Sequence, residues 1–320
     1  MDEVVNNKRK IIVSRIGVLL TVVSVVFIVR RFFQVELDYA IFTSPVVVAG
    51  LIAIAFVNGF IIILTAINYR ALLYNVTGVM IPLHEVNKVY CSANLYKYIP
   101  GGILSVLGRN RLAVDNEELS HSKVAAATVL EGVFFILAAL VITLAYSSDY
   151  AVQELRQLDI LPIVLATIAG IIIVIALVVY FTRHRIKRFL ESVGIKGVLK
   201  PPVLVKRAVA ALVLANMWGF MFMWILALMG QPITPYIIMT VIGLFGLSWL
   251  VGFFVPIAPA GLGIREAAIL MFIGVIVPDS YLLLAVMVHR VSTIIGDIIA
   301  YGIAICHARA KTPKTISKTI

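Results

Sequence analysis

The stretch 253-FFVPIAPAGLGIREAAILMFIG-274 begins and ends as a membrane helix would and is broken in its middle. Pro256, Pro259, Gly261 and Gly263 lead into an Arg265–Glu266 pair. Proline removes a helix donor and clashes with the preceding turn, and glycine weakens a helix interior. The spacing therefore predicts that one helix ends near Pro259 and another starts after Gly263. The second piece, 264–277, would reach about 21 Å at 1.5 Å per residue, short of the roughly 30 Å hydrocarbon layer. Unpaired backbone in lipid costs several kcal/mol per group, so such a break needs protein or a water-filled cavity around it.

The rest of the chain supplies that setting. Its 320 residues are 62% hydrophobic and only 13% charged, whereas about a quarter of an ordinary soluble chain is charged. Apolar runs of roughly 20 residues recur along its length, the size needed to cross a bilayer. The pattern predicts an all-α, polytopic helical membrane protein. Residues 1–320 form a single membrane domain with about eight spans, at 11–29, 45–67, 123–146, 161–182, 208–229, 235–256, 264–277 and 281–305. Alternating ten-residue strands, the mark of a β-barrel, are absent. No small-residue cleavage site follows the first span, which reads as a retained signal anchor.

The net charge of +11 follows topology. With the N-terminus inside, segments 1–10, 68–122, 183–207 and 306–320 hold 20 Lys and Arg, and the opposite loops hold three. The positive-inside bias then places both termini, residues 1–10 and the basic tail 306–320, on the cytoplasmic side of a plasma membrane, with the bundle at 11–305. No nucleic acid is expected as a partner. The loop 183–207 could also hold anionic lipid headgroups, at about 1 kcal/mol per Lys or Arg near such a surface. Cys91 and Cys306 stand alone, with no CxxC, and imply neither a disulfide framework nor a metal. HExxH, Walker and GxSxG patterns are absent. No cofactor is expected and no catalytic residue is assigned.

A second interruption lies in the other half, at 89-VYCSANLYKYIPGGILSVLGRNR-111. Lys97 and Pro100-Gly101-Gly102 break a segment too apolar for an ordinary loop. It reads as a re-entrant hairpin or a pair of half-helices; an amphipathic helix on the inner surface is the other reading. IPGGILSVLGR at 99–109 and APAGLGIRE at 258–266 each set a proline before small residues and then an arginine, half a chain apart. Broken segments at matching positions of two halves point to a transporter's central site. The pseudo-repeat could be parallel or inverted.

A charge at a helix centre costs about 2.5–3.5 kcal/mol even on a lenient insertion scale, so it needs a partner or a wet cavity. Arg265 and Arg290, joined by Lys97 and Arg109 from the first break, would make a substrate-binding anion site near helix N-termini, with Glu266 beside them. Glu131, His289 and Asp297 are read as coupling or structural groups. Arg290, Thr293 and Asp297 share one helix face. Asn58 and Asn216 are read as interhelical hydrogen-bond links, and Trp218, Trp224 and Trp249 as packing or interface residues.

The pair KYIPGGILSVLGR (97–109) and VPIAPAGLGIREAAI (255–269) resembles the transmembrane region of lysylphosphatidylglycerol synthases and the stand-alone flippase-like integral membrane proteins related to it. The similarity spans about residues 10–305; Ala260 stands where that family commonly has glycine. The resemblance implies a flippase-like transporter that moves an anionic phospholipid or lipid-linked headgroup between leaflets, with membrane lipids as partners. Aminoacyl transfer is not implied, since the soluble domain that performs it is absent from this sequence. The alternative is a membrane enzyme, or an accessory subunit, of glycolipid, polyprenyl-phosphate-sugar or phospholipid synthesis. That would draw on His84, Glu85 and His121, with a membrane-enzyme partner or a homo-oligomer.

Overall fold

The computed structural model describes residue 30 and residues 39–98, 104–115, 118–157, 201–254 and 263–311. The expected spans 11–29 and 161–182 lie outside these residues, as do the break residues Pro100, Gly101, Gly102, Pro259 and Gly261 and most of the loop 183–207.

A short 3-10 turn, Tyr39–Thr43, leads into α1, Pro45–Thr77, whose opening proline is already set for helical φ. Helix α1 ends at Gly78, which takes φ 76° and donates its N–H to the Tyr74 carbonyl. Then come α2 (Leu83–Leu95), a 3-10 turn at Tyr96–Tyr98, α3 (Leu104–Arg109), α4 (Arg111–Val114) and α5 (His121–Gln157). The remainder is α6 (Pro201–Leu228), α7 (Pro235–Phe254), α8 (Ile264–Ile273) and α9 (Asp279–Lys311). No strand occurs among the described residues.

Helices α1, α5, α6, α7 and α9 are long and apolar enough to cross a membrane, which makes this a helical membrane protein. They coincide with the expected spans 45–67, 123–146, 208–229, 235–256 and 281–305. The expected span 264–277 is shorter than predicted: α8 has 10 residues, about 15 Å, and cannot cross the hydrocarbon alone.

Helix α9 runs along α1 and α2, α5 packs on α6 and α7, α1 also meets α5 and α6, and α7 carries α8. One apolar core, around Phe222, Ile225, Ile242, Phe245, Ile269 and Leu283, lies where α6 to α9 meet. A second joins Tyr69, Leu73, Val86, Tyr90, Leu112 and Val124 from α1, α2, α4 and α5. Val46, Ile52, Phe56 and Phe60 face outward from α1, as lipid-facing side chains should.

The α1–α9 crossing depends on small residues. A Cβ on Gly296 would come within 2.4 Å of Asn58 Nδ2 and 2.8 Å of the Ala55 carbonyl oxygen. Close approach of this kind is how membrane helices gain packing without a hydrophobic drive. Asn58 then ties three helices together. Its Nδ2 donates to the Thr293 carbonyl at 3.1 Å, and its Oδ1 accepts from Trp218 Nε1 at 3.3 Å. Asn216 departs from its expected interhelical role: its amide donates to the Leu212 carbonyl one turn back on its own helix. An interior side-chain amide can satisfy its donor locally whenever a carbonyl four residues earlier is in reach. Of the tryptophans, Trp218 packs on Phe135 and Trp249 stacks on Phe253.

Two outcomes follow from this packing. Gly296→Ala should lower stability by about 1–3 kcal/mol through overpacking, read by thermal unfolding in detergent. Gly302→Ala, on the same helix with nothing within 4 Å of the added carbon, should be neutral; equal effects would refute the close crossing. Thiol reactivity checks the docking of α2. Burial, with the Asp297 carboxylate adding to it, pushes the buried Cys91 thiol up to about 12, while Cys306 is exposed. Because the thiolate is the nucleophile, maleimide at neutral pH should label Cys306 alone in the folded protein and both thiols after unfolding.

Candidate functional site

Three buried carboxylates organise the polar interior. Glu131 of α5 is 4% exposed. Its Oε1 accepts the Tyr90 hydroxyl at 3.0 Å, and its Oε2 is paired with Arg109 Nη1. The Arg109 guanidinium lies 4.3 Å from the Tyr90 ring centre and 5.1 Å from that of Tyr69, within cation–π range. The Tyr69 hydroxyl pairs with Thr128 Oγ1 at 3.1 Å. Arg109 is thus placed between its counter-ion and two aromatic faces.

Asp297 of α9 is 1% exposed. Asn94 Nδ2 donates to its Oδ1 at 2.9 Å, and the Tyr98 hydroxyl to its Oδ2 at 2.5 Å. Lys97 Nζ lies 2.6 Å from the same Oδ2. All three donors come from the last turn of α2 and the 3-10 turn that follows. A 3-10 turn winds tighter than an α-helix, and here it presents Lys97 and Tyr98 to one acceptor.

Glu266 opens α8. Its Oε2 accepts the Gly263 N–H at 2.7 Å, so the carboxylate caps the helix by reaching back one turn. Gly263 adopts φ 82°, a region that favours glycine because it has no Cβ. The other oxygen, Oε1, is 3.4 Å from Arg290 Nε. Arg265 points elsewhere, since consecutive helical residues are about 100° apart. Its guanidinium lies 4.8 Å from the Phe245 ring centre. Among the described residues Arg265 forms no salt bridge. Arg265 Nε and Arg290 Nη2 are buried with no hydrogen-bond partner among the described residues.

The structure gathers Lys97, Arg265, Glu266, His289, Arg290 and Asp297 into one neighbourhood. Lys97 meets Asp297 of α9, Glu266 meets Arg290 of the same helix, and Arg265 and His289 both lie against the Phe245 ring. The His289 ring packs edge-on against Phe222 and Phe245 at 5.5 and 5.4 Å. The Thr293 hydroxyl donates to the Arg290 carbonyl. Arg109 and Glu131 form a pair with partners of their own on α1 and α2. Sequence reasoning missed Tyr90, Asn94 and Tyr98, although they recur every four residues as a polar-aromatic stripe, and it missed Phe245, which carries no polar signal.

Elsewhere, His84 Nε2 lies 3.9 Å from Glu85, and the His84 ring is 6.1 Å from that of His307. No three His, Cys, Asp or Glu among the described residues are placed to hold a metal ion. The fold and site define a helical membrane protein with a buried, largely paired layer of charge. No known family model and no curated protein matches the chain.

Removing one partner of a buried ion pair strands the other, at about 3–5 kcal/mol. Glu131→Leu should therefore be strongly destabilising in detergent unfolding, and adding Arg109→Leu should recover most of the loss. A double variant as unstable as the single one would show that the pair is not what holds this region.

Proposed function

We propose that the chain is a flippase-like transporter, moving an anionic phospholipid or lipid-linked headgroup between the leaflets of the plasma membrane, with both termini cytoplasmic. The observation that carries this reading is the pair of spare donors on Arg265 and Arg290. A buried donor left unmade costs about 1–3 kcal/mol, more when charged. A planar guanidinium fork matches phosphate oxygens in geometry and charge. A phosphate between Arg265 and Arg290 would satisfy both donors and offset two positive charges, of which Arg290 alone meets a carboxylate, that of Glu266, among the described residues.

In this reading Lys97, partly exposed and resting on Asp297, is the next cation a headgroup meets. Arg109 stays with Glu131 and steadies the first break. Glu266 and Asp297 hold the cations in place when no headgroup is bound, or pass a coupling proton, with His289 at their side. The finer architecture belongs to the same proposal: eight spans, re-entrant segments around 89–111 and 255–269, and two repeated halves facing each other across a cleft open to lipid. The resemblance of those two segments to the lysylphosphatidylglycerol synthase transmembrane region points the same way.

Liposomes carrying the protein and acyl-labelled fluorescent phosphatidylglycerol test the proposal. Arg265→Ala combined with Arg290→Ala should slow leaflet exchange at least about tenfold, as expected for losing charged hydrogen bonds. Exchange at the normal rate would remove these residues from the transport site.

A further inference from the structure

A second group of cations lies where α1 ends and α6 begins. Arg70, Tyr74, Asn75, Met80, Lys206 and Arg207 line a cleft of about 400 Å³, within the roughly 300–1,000 Å³ range of small-ligand sites. Among the described residues the cleft wall contains three cations and no carboxylate. Arg70 Nε donates to the Ile81 carbonyl at 2.6 Å, and Arg207 Nη1 to Asn68 Oδ1 at 2.9 Å. Both guanidinium groups are therefore held in position by neutral acceptors, which orient them without cancelling their charge. Arg207 Nε is buried with no hydrogen-bond partner among the described residues. Among the described residues none of the three cations forms a salt bridge.

The positive-inside bias would account for basic residues at this end of the bundle. It does not require two arginines braced on neutral groups around an open space, with a spare donor on one of them. Like charges held together in this way raise the local potential for an anion and are relieved when one binds. Tyr74 and Met80, 43% and 57% exposed, add an apolar lip. We infer that this cleft is a phosphate-binding site, distinct from the Arg265–Arg290 centre. It takes the phosphate group of an anionic lipid headgroup or of a soluble phosphate compound. The inference does not depend on transport.

Native mass spectrometry of the full chain in detergent tests it, with phosphatidic acid as probe, phosphatidylcholine as the zwitterionic control and inorganic phosphate as competitor. Phosphatidic acid should be retained in preference to phosphatidylcholine. Lys206→Gln, which removes an exposed cation with no salt bridge among the described residues, should weaken that retention about fivefold in an Arg265→Ala background, where the other centre is disabled. Displacement by inorganic phosphate would identify the soluble source, and resistance to it the lipid headgroup; either supports the site. Asn75→Asp, which puts a negative charge in the wall, should weaken retention as well. Retention unchanged by both Lys206→Gln and Asn75→Asp in the Arg265→Ala background would overturn the inference.

Discussion

A carboxylate inside a bilayer must be met by donors or it will not stay ionised, and this protein turns that requirement into its architecture. Glu131, Asp297 and Glu266 each capture a piece of chain that interrupts the pattern of long helices. Glu131 on α5 holds Tyr90 and Arg109, the two ends of one such segment, and Asp297 on α9 holds Asn94, Lys97 and Tyr98 between them. Glu266 holds the start of α8 through the Gly263 N–H. These three acceptors add polar anchors to the apolar packing that seats both interruptions against the bundle.

The same requirement sorts the cations. Arg109 is enclosed by a counter-ion and two tyrosine rings. Lys97 has a close counter-ion but keeps some contact with solvent. Arg290 holds its carboxylate at a longer distance, and Arg265 rests on an aromatic face. From Arg109 to Arg265 the cations become progressively less neutralised. Four basic residues that look alike in the sequence therefore differ in what they have left to offer a ligand.

The spanning helices were legible because runs of apolar residues alone decide whether a helix can cross. Their ends were less so. Helix α1 continues past residue 67 through Asn68, Tyr69 and Arg70 to Thr77, because hydropathy falls there while helix propensity does not; Gly78, free to take positive φ, ends it. The rule that buried charges need partners was legible as well, and the structure supplies a partner for each buried carboxylate. Which partner was not legible: Lys97 and Asp297 are half the chain or more apart, and only the fold brings them together. The expectation of a cationic pocket leaves open how tightly each cation is held, and the structure sets Arg109 against Glu131 and Lys97 against Asp297. The Asn216 amide was misread for a local reason, since a carbonyl four residues back competes with any neighbouring helix.

The length of α1 has its own consequence. Its 33 residues span about 50 Å, and only about 30 Å of hydrocarbon is available to hide them. The surplus turns carry Tyr69, Leu73 and Val76 into a cluster with Val86, Tyr90 and Leu112. That end coheres because water is excluded from it, as in a soluble protein, whereas the middle coheres through tight contact and matched charge in oil. Urea should loosen the first and harsh detergent the second, so one continuous helix crosses two regimes of stability.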